Sequence, residues 1–335
     1  MSLASDHAVE TSTGSSTEST EIAGRSLSQI AWGRLRRDKV AMVSLITVVL
    51  VLLVAGFAPL VTKLVGVDPY SFHNDIKEKI ISDLGGLPLG KWGGISSDHP
   101  LGVEPQTGRD IFARLLYGAR ISLLIALSST LLTMVFGVVV GIIAGYSKGW
   151  VDTALGRLMD LILAFPLLLI LLAMSPVLTQ RLEQTFHMPG NVARVTYIIL
   201  VLSVFGWPYL ARIVRGQVLS LREREFVESA VSMGAGTPRI LFKEILPNLW
   251  APILVYASII IPTYIAAEAT LSFLGVGLLP PTPSWGAMLS DSVTFYTVDP
   301  AYLFIPGTAL FIVVLAFNLL GDAIRDALDP RAGRA

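Results

Sequence analysis

The chain has 335 residues, 53% hydrophobic and only 15% charged, with a mean hydropathy of +0.66. That balance lies far from a soluble domain of this length and marks a polytopic membrane protein. Its 25 basic and 25 acidic residues leave no bulk charge to attract nucleic acid, and zero cysteines exclude a disulfide framework and thiolate metal sites or catalysis.

In chain order, residues 1–25 are dominated by Ser, Thr and Glu with no apolar run, so they are expected to stay disordered. A basic start followed by an apolar h-region is missing there, so a secretory signal is not expected. Residues 26–39 set Leu27, Ile30 and Leu35 among Arg34, Arg36, Arg37 and Lys39. Such a pattern suits a basic interfacial helix on an anionic membrane surface, and equally a basic flank that orients the first span.

A first transmembrane helix is expected over residues 40–62, of which 40–61 carry no charge. At about 1.5 Å per residue this suffices for a hydrocarbon core of about 30 Å. An external loop over 63–115 follows. The core, 116–322, holds five further candidates at 121–146, 158–178, 195–214, 248–271 and 302–320, before a cytoplasmic tail over 323–335. The expected fold is all-α with six transmembrane helices. Cytoplasmic N- and C-termini place 16 of the 25 Lys and Arg inside, as the positive-inside rule requires.

Gly137, Gly141 and Gly145 repeat a small residue every fourth position in the second span, which lets a neighbouring backbone approach closely. Pro166 and Pro262 interrupt the third and fifth spans, where kinks or local unwinding are expected. Residues 85–91 match G-x-x-x-x-G-K, but Trp92 stands where Ser or Thr would hold magnesium, and no strand-then-helix context surrounds the match. It is not read as a phosphate loop. The four histidines show no ligand spacing, and Asp98-His99 is expected to be solvated. With no nucleophile motif either, neither catalysis nor a metal site is expected.

Residues 220–247 form a charged island between apolar runs. Ser220 and Glu223 have the spacing of a capping box, so a helix is expected to begin there. Gly234 can end it in a left-handed conformation, and Thr237-Pro238 offers an N-cap and first residue for a second helix. Phe226, Ala230 and Met233 fall on one stripe, a face to offer to a partner. Glu268 follows a charge-free stretch and is expected about 30 Å along the fifth span, near the outer interface. It reads either as a carboxylate at the mouth of a substrate pathway or as an interfacial group satisfied by its neighbours.

Glu228-Ser-Ala230, then Gly234, then Leu246-Pro247 resemble the E-A-A…G…L-P loop of permease subunits in bacterial ATP-binding-cassette importers, with Ser229 in place of an alanine. Further matches are Leu101-Gly102, Gly108-Arg109-Asp110, Arg114 to Arg120, Leu219 to Val227, Leu271 to Gly277, Pro280 to Gly286 and Asp326 to Arg331. Together these are similar to the C-type permease of dipeptide and oligopeptide importers; Glu244 departs from that pattern, which usually carries His before I-L-P. The resemblance implies a type I importer fold in the bacterial plasma membrane, paired with a second homologous permease. It also implies two ATP-binding subunits, which would hold ATP and magnesium, and an extracytoplasmic substrate-binding protein; no cofactor is expected in this chain. Phe226, Glu228, Ala230, Met233, Gly234, Leu246 and Pro247 would couple it to the ATPases, and the implied cargo is peptide, with nickel, opines or glycosides as alternatives. A secondary transporter would be expected to show an internal repeat and several intramembrane charges, and only Glu268 approaches the second requirement.

Overall fold

A computed structural model describes residues 27–73, 80–82, 85–90 and 92–328. The tail expected over 1–25 and the last part of the 323–335 tail lie outside the described residues. Helix α1, Leu27–Arg37, is followed by α2, Lys39–Gly56. Asp38 separates them and caps α2, its Oδ1 accepting from the Val40 and Ala41 backbone N–H groups at 2.8 and 3.2 Å. A short helix α3, Ala58–Val65, then ends at Gly66. The first span is therefore shorter than expected: the chain breaks at Phe57, just before Pro59, and the apolar residues beyond belong to α3.

Helix α4, Ile111–Tyr146, starts well before the boundary at 121 that charge suggested. Asp110 caps it through Oδ1 to the Ala113 N–H at 2.7 Å, and the Arg114 charge is paired rather than solvated. The third span is not one helix. Helix α5, Trp150–Ala164, and α6, Leu167–Phe186, meet at an 82° bend. Pro166 is responsible, since it lacks an N–H and holds Phe165 in an extended conformation. Helix α7, Gly190–Leu221, runs back through Pro208.

The island contains α8, Glu225–Ser232, and a single turn α9, Thr237–Arg239. After it comes α10, Trp250–Phe273, which passes Pro262 as continuous helix, without the unwinding considered there. A short α11, Trp285–Ser292, and α12, Pro300–Leu328, complete the fold. Helix α12 continues past residue 320, so the expected tail begins helical. Among the described residues five helices are long and apolar enough to cross a membrane, and the bent α5–α6 pair supplies a sixth crossing if counted as one. The molecule thus has two poles, one with the island and the other with α11 and the described part of residues 57–110.

The seam between α4 and α7 is built on the three glycines. A Cβ added at Gly137 would stand 2.8 Å from Leu210 Cβ, and at Gly141 or Gly145 it would stand 2.7 Å from the Cβ of Val214 or Val218. Leu210, Val214 and Val218 are fully buried as a result. In lipid, where apolar side chains gain little from association alone, such close packing is what holds helices together. Gly156 in α5 has nothing within 4 Å of its would-be Cβ. Gly141→Ala is expected to cost about 1–3 kcal/mol through overpacking, whereas Gly156→Ala should be neutral or stabilise by up to about 1 kcal/mol. Thermal denaturation in detergent checks this, and equal melting temperatures for the two variants would refute the seam.

Candidate functional site

At the island pole α7 does not stop at Ser220. Its last turn is held by Val218 packing on Gly145 and by the Arg222 guanidinium, which donates to the Gly145 carbonyl at 3.0 Å. Ser220 therefore lies inside α7, and the expected capping box is not made. Helix α8 begins later, after Arg224, with Glu225 and Glu228 in its first turn where the helix dipole favours carboxylates.

Only part of the expected stripe faces one way. Val227 and Ala230 are buried, and Val227 packs in a cluster with Ile240, Ile245 and Leu249 of the island's second leg. Phe226 and Met233 point outward, Met233 being 80% exposed, together with Val231 and Phe242. Residues three and four apart straddle a narrow buried edge on so short a helix, so the inward pair is Val227 and Ala230 and the outward set is apolar in its own right. Glu228 is exposed.

Gly234 has the left-handed conformation expected of it, with φ +79°. Its N–H donates to the Val231 carbonyl at 2.9 Å and the Ala235 N–H to the Ala230 carbonyl at 3.0 Å. That bond pair is a Schellman motif. A Cβ at Gly234 would meet nothing within 4 Å, so the backbone conformation, not space, calls for glycine.

The second leg is not a separate helix. The turn α9 is preceded by Gly236, so Thr237 is not its cap. The chain then widens to a π-helical stretch, Ile240–Ile245, and tightens to a 3-10 turn, Leu246–Leu249, that leads straight into α10. Pro247 sits in that turn, and its missing N–H and bulky ring account for the change of winding. The Asn248 side-chain amide donates to the Glu244 carbonyl at 2.6 Å. Leu246 is half-buried and Pro247 exposed. Beside this pole, Arg215 grips Asp152 of α5 through two bonds at 2.5 and 2.8 Å, and Arg212 pairs with Asp160.

Glu268, towards the opposite end of α10, does not open onto solvent. It is wholly buried, accepting from Ser122 Oγ of α4 at 2.7 Å and from Ser272 Oγ at 2.8 Å. Beside it Ser284 caps α11, accepting from the Ala287 N–H at 3.1 Å. Gly286 lies so close that an added Cβ would stand 2.6 Å from Ala269 Cα and Ser272 Cβ. The carboxyl ties α4 and α10 together next to the point where α11 docks.

The same pole holds a cluster to which sequence reasoning gave no role. Glu104 is 3% exposed, yet it accepts from Arg109 Nε at 2.6 Å and Thr107 Oγ1 at 2.5 Å, and from the Tyr302 hydroxyl of α12. Arg114 Nε stands 3.3 Å from its other oxygen. Burial alone would raise the Glu104 carboxyl, but Arg114, the Thr107 and Tyr302 hydroxyls and Arg109 outweigh it and hold it below the usual range. His99 is likewise buried, not solvated, with Nδ1 2.9 Å from Asp110 Oδ2. Gly102, with φ +80°, makes the close fold possible: a Cβ there would lie 2.2 Å from the Gly93 carbonyl oxygen. The readable signal was two acids and two arginines within residues 104–114, running into an apolar helix.

Residues 137–334 match the family described as binding-protein-dependent transport system inner membrane component, and residues 26–79 match the N-terminal TM domain of oligopeptide transport permease C. The chain belongs to the inner-membrane component family. Its relatives include the dipeptide transport system permease protein DppC of Alkalihalophilus pseudofirmus, 37% identical over 90% of this chain and 89% of that protein. The glutathione transport system permease protein GsiD of Pectobacterium atrosepticum is 38% identical over 90% of each chain. The oligopeptide transport system permease protein OppC of Bacillus subtilis is 38% identical over 94% of this chain and 93% of its own. A chain from the MetNI methionine ABC transporter, solved in inward-facing conformations, shares the fold at a TM-score of 0.51 and 19% identity, covering 64% of this chain and 96% of that one. The protein is thus a multi-pass transport permease of the type I fold.

Removing the Glu104 charge would leave Arg109 and Arg114 buried without their partner. Glu104→Gln is expected to destabilise by about 3–5 kcal/mol. Because the Glu104 carboxyl is depressed, the stability it supplies is complete above the ordinary glutamate pKa of about 4.3 and is lost as pH falls through its lower folded value. Melting temperature followed from about pH 7 to about pH 3 should therefore fall less steeply for Glu104→Gln than for the parent below about pH 4.3. Parallel curves would show that Glu104 is not held by these partners.

Proposed function

We propose that this permease forms half of the pathway of an ATP-driven importer for dipeptides and oligopeptides, pairing with a second homologous permease in the bacterial plasma membrane. Two ATPase subunits meet it at the island pole and carry ATP and magnesium. A substrate-binding protein meets it outside, at the pole of residues 57–110 and α11. The names of the relatives support peptide cargo. The excess of Lys and Arg on the island side supports cytoplasmic termini.

The observation that carries the coupling role is the island itself. Phe226, Val231, Met233 and Phe242 stand exposed on a short helix and its continuation, beside Glu225, Glu228 and Lys243. Val227, Ile240 and Ile245 fix that helix from beneath. An apolar set with charged surroundings on a rigid base is what a helix offers to a groove on a partner. Ala230, Gly234, Leu246 and Pro247 serve by shaping the base and its turn; Phe226, Glu228 and Met233 supply the contact face.

In the reconstituted complex, Met233→Asp is expected to cut uptake roughly tenfold or more, as loss of a central interface anchor does. It should also abolish the rise in ATPase activity caused by loaded binding protein. Gly234→Val should act in the same direction, since a left-handed backbone costs a β-branched residue roughly 1–2 kcal/mol or more. Parental uptake in both variants would remove the coupling role. For orientation, Ser97→Cys is expected to react with an impermeant thiol reagent in intact cells and Ser232→Cys to remain unlabelled; the reverse pattern would invert the topology.

A further inference from the structure

A cleft of about 260 Å³ lies between α6, the first turns of α7 and residues 275–276. Its polar lining is Ser175, Thr179, Gln180, Glu183 and Arg194. Ser175, Thr179 and Glu183 recur every fourth residue, one face of α6. Ser175 and Thr179 are buried, whereas Gln180 and Glu183 are exposed. The Thr179 hydroxyl donates back to the Ser175 carbonyl of its own helix, so the need for a partner in this cleft falls on the charged groups.

The two charges in the cleft are opposite in sign, yet neither is among the ion pairs of the described residues. Arg194 spends one N–H on the Gly277 carbonyl, at 3.2 Å from Nη1, and its Nε is buried with no hydrogen-bond partner. Guanidinium has five N–H donors in a fixed fork suited to a carboxylate, so most of its capacity is unspent. Glu183 lies against the start of α7, with Oε1 3.3 Å from where a Gly190 Cβ would be. Gly190 and Arg194 are one helical turn apart, about 6 Å along α7. The ends of a short peptide are separated on the same scale, since two extended residues span at most about 7 Å.

We propose that this cleft receives an end of the peptide cargo, with Arg194 taking its free C-terminal carboxylate and Glu183 taking the cationic amine of a short peptide. The inference rests on the peptide-importer reading and assigns it a recognition site at the outer pole. The permease itself then tests for a terminal carboxylate when cargo leaves the binding protein. A volume of about 260 Å³ suits a peptide of about two small residues, or one end of a longer one, rather than a whole oligopeptide.

The experiment compares uptake of dialanine and of dialanine amide by the full reconstituted complex at saturating binding protein. Any preference of the binding protein cancels when each variant's dialanine-to-amide ratio is divided by the parent's. Arg194→Gln is expected to lower that ratio roughly tenfold or more, because a site built to bind a charged group discriminates strongly against the analogue that lacks it. Arg194→Lys should lower it less, since lysine keeps the charge but loses the fork. Glu183→Gln should narrow the preference for dialanine over N-acetyl-dialanine instead. Recovery of the assembled complex should match the parent in all three. An unchanged ratio in Arg194→Gln overturns the proposal while leaving the importer reading intact. So does loss of the second permease from Arg194→Gln, which would make that permease the partner of the guanidinium. If the parent imports neither peptide, the peptide reading itself fails and this site falls with it.

Discussion

The α4–α7 seam is the contact on which the rest of the molecule depends. Three glycines let Leu210, Val214 and Val218 seat directly on a neighbouring backbone. The same buried row continues without interruption into Val227, Ile240, Ile245 and Leu249 of the island. The island is therefore not a loop hung from two spans. It is the last layer of the packing that joins them, and its exposed face is as well placed as the seam beneath it. In lipid, where burial of apolar surface alone does little to order helices, such shape matching has to supply the rigidity.

The opposite pole is organised by charge instead. Glu104 gathers two arginines and a tyrosine from three separate segments, and Asp110 both caps α4 and holds His99. Buried pairs of this sort add little net stability over an apolar substitute but cost much when one partner is removed. Their use here is positional: they clamp residues 99–110 onto the ends of α4 and α12. Glu268 and its serines play the corresponding part between α4 and α10.

How much of this could be read beforehand depended on the range of the interaction involved. The glycine repeat and the left-handed Gly234 were legible because each rests on a few adjacent residues and on one backbone rule. The break at Pro166 was legible as a location but not as an 82° turn, since the angle depends on what α5 packs against. Ser220 misled because a local capping signal lost to the packing of Val218 and Leu221, which carries α7 onward. His99 misled because hydropathy reads a charge as solvated unless its partner is near in sequence. For Glu268 the sequence leaves an exposed and a satisfied carboxylate both open, because Ser122, one of its partners, is far away in the chain. The buried edge of α8 runs through Val227 rather than Phe226, a difference of one position that on so short a helix exchanges the covered side for the exposed one.

The unbroken winding from Thr237 to Phe273 has a mechanical meaning. Over its 37 residues the chain changes pitch twice, wide over Ile240–Ile245 and tight over Leu246–Leu249, before settling into α10. A π turn holds about one residue more than an α turn. Rewinding it to α geometry would displace the register by about one residue, rotating what lies on either side by about 100° and advancing it by about 1.5 Å. The segment has the form of a screw thread with one spare pitch, set between the island and the rod that α10 completes.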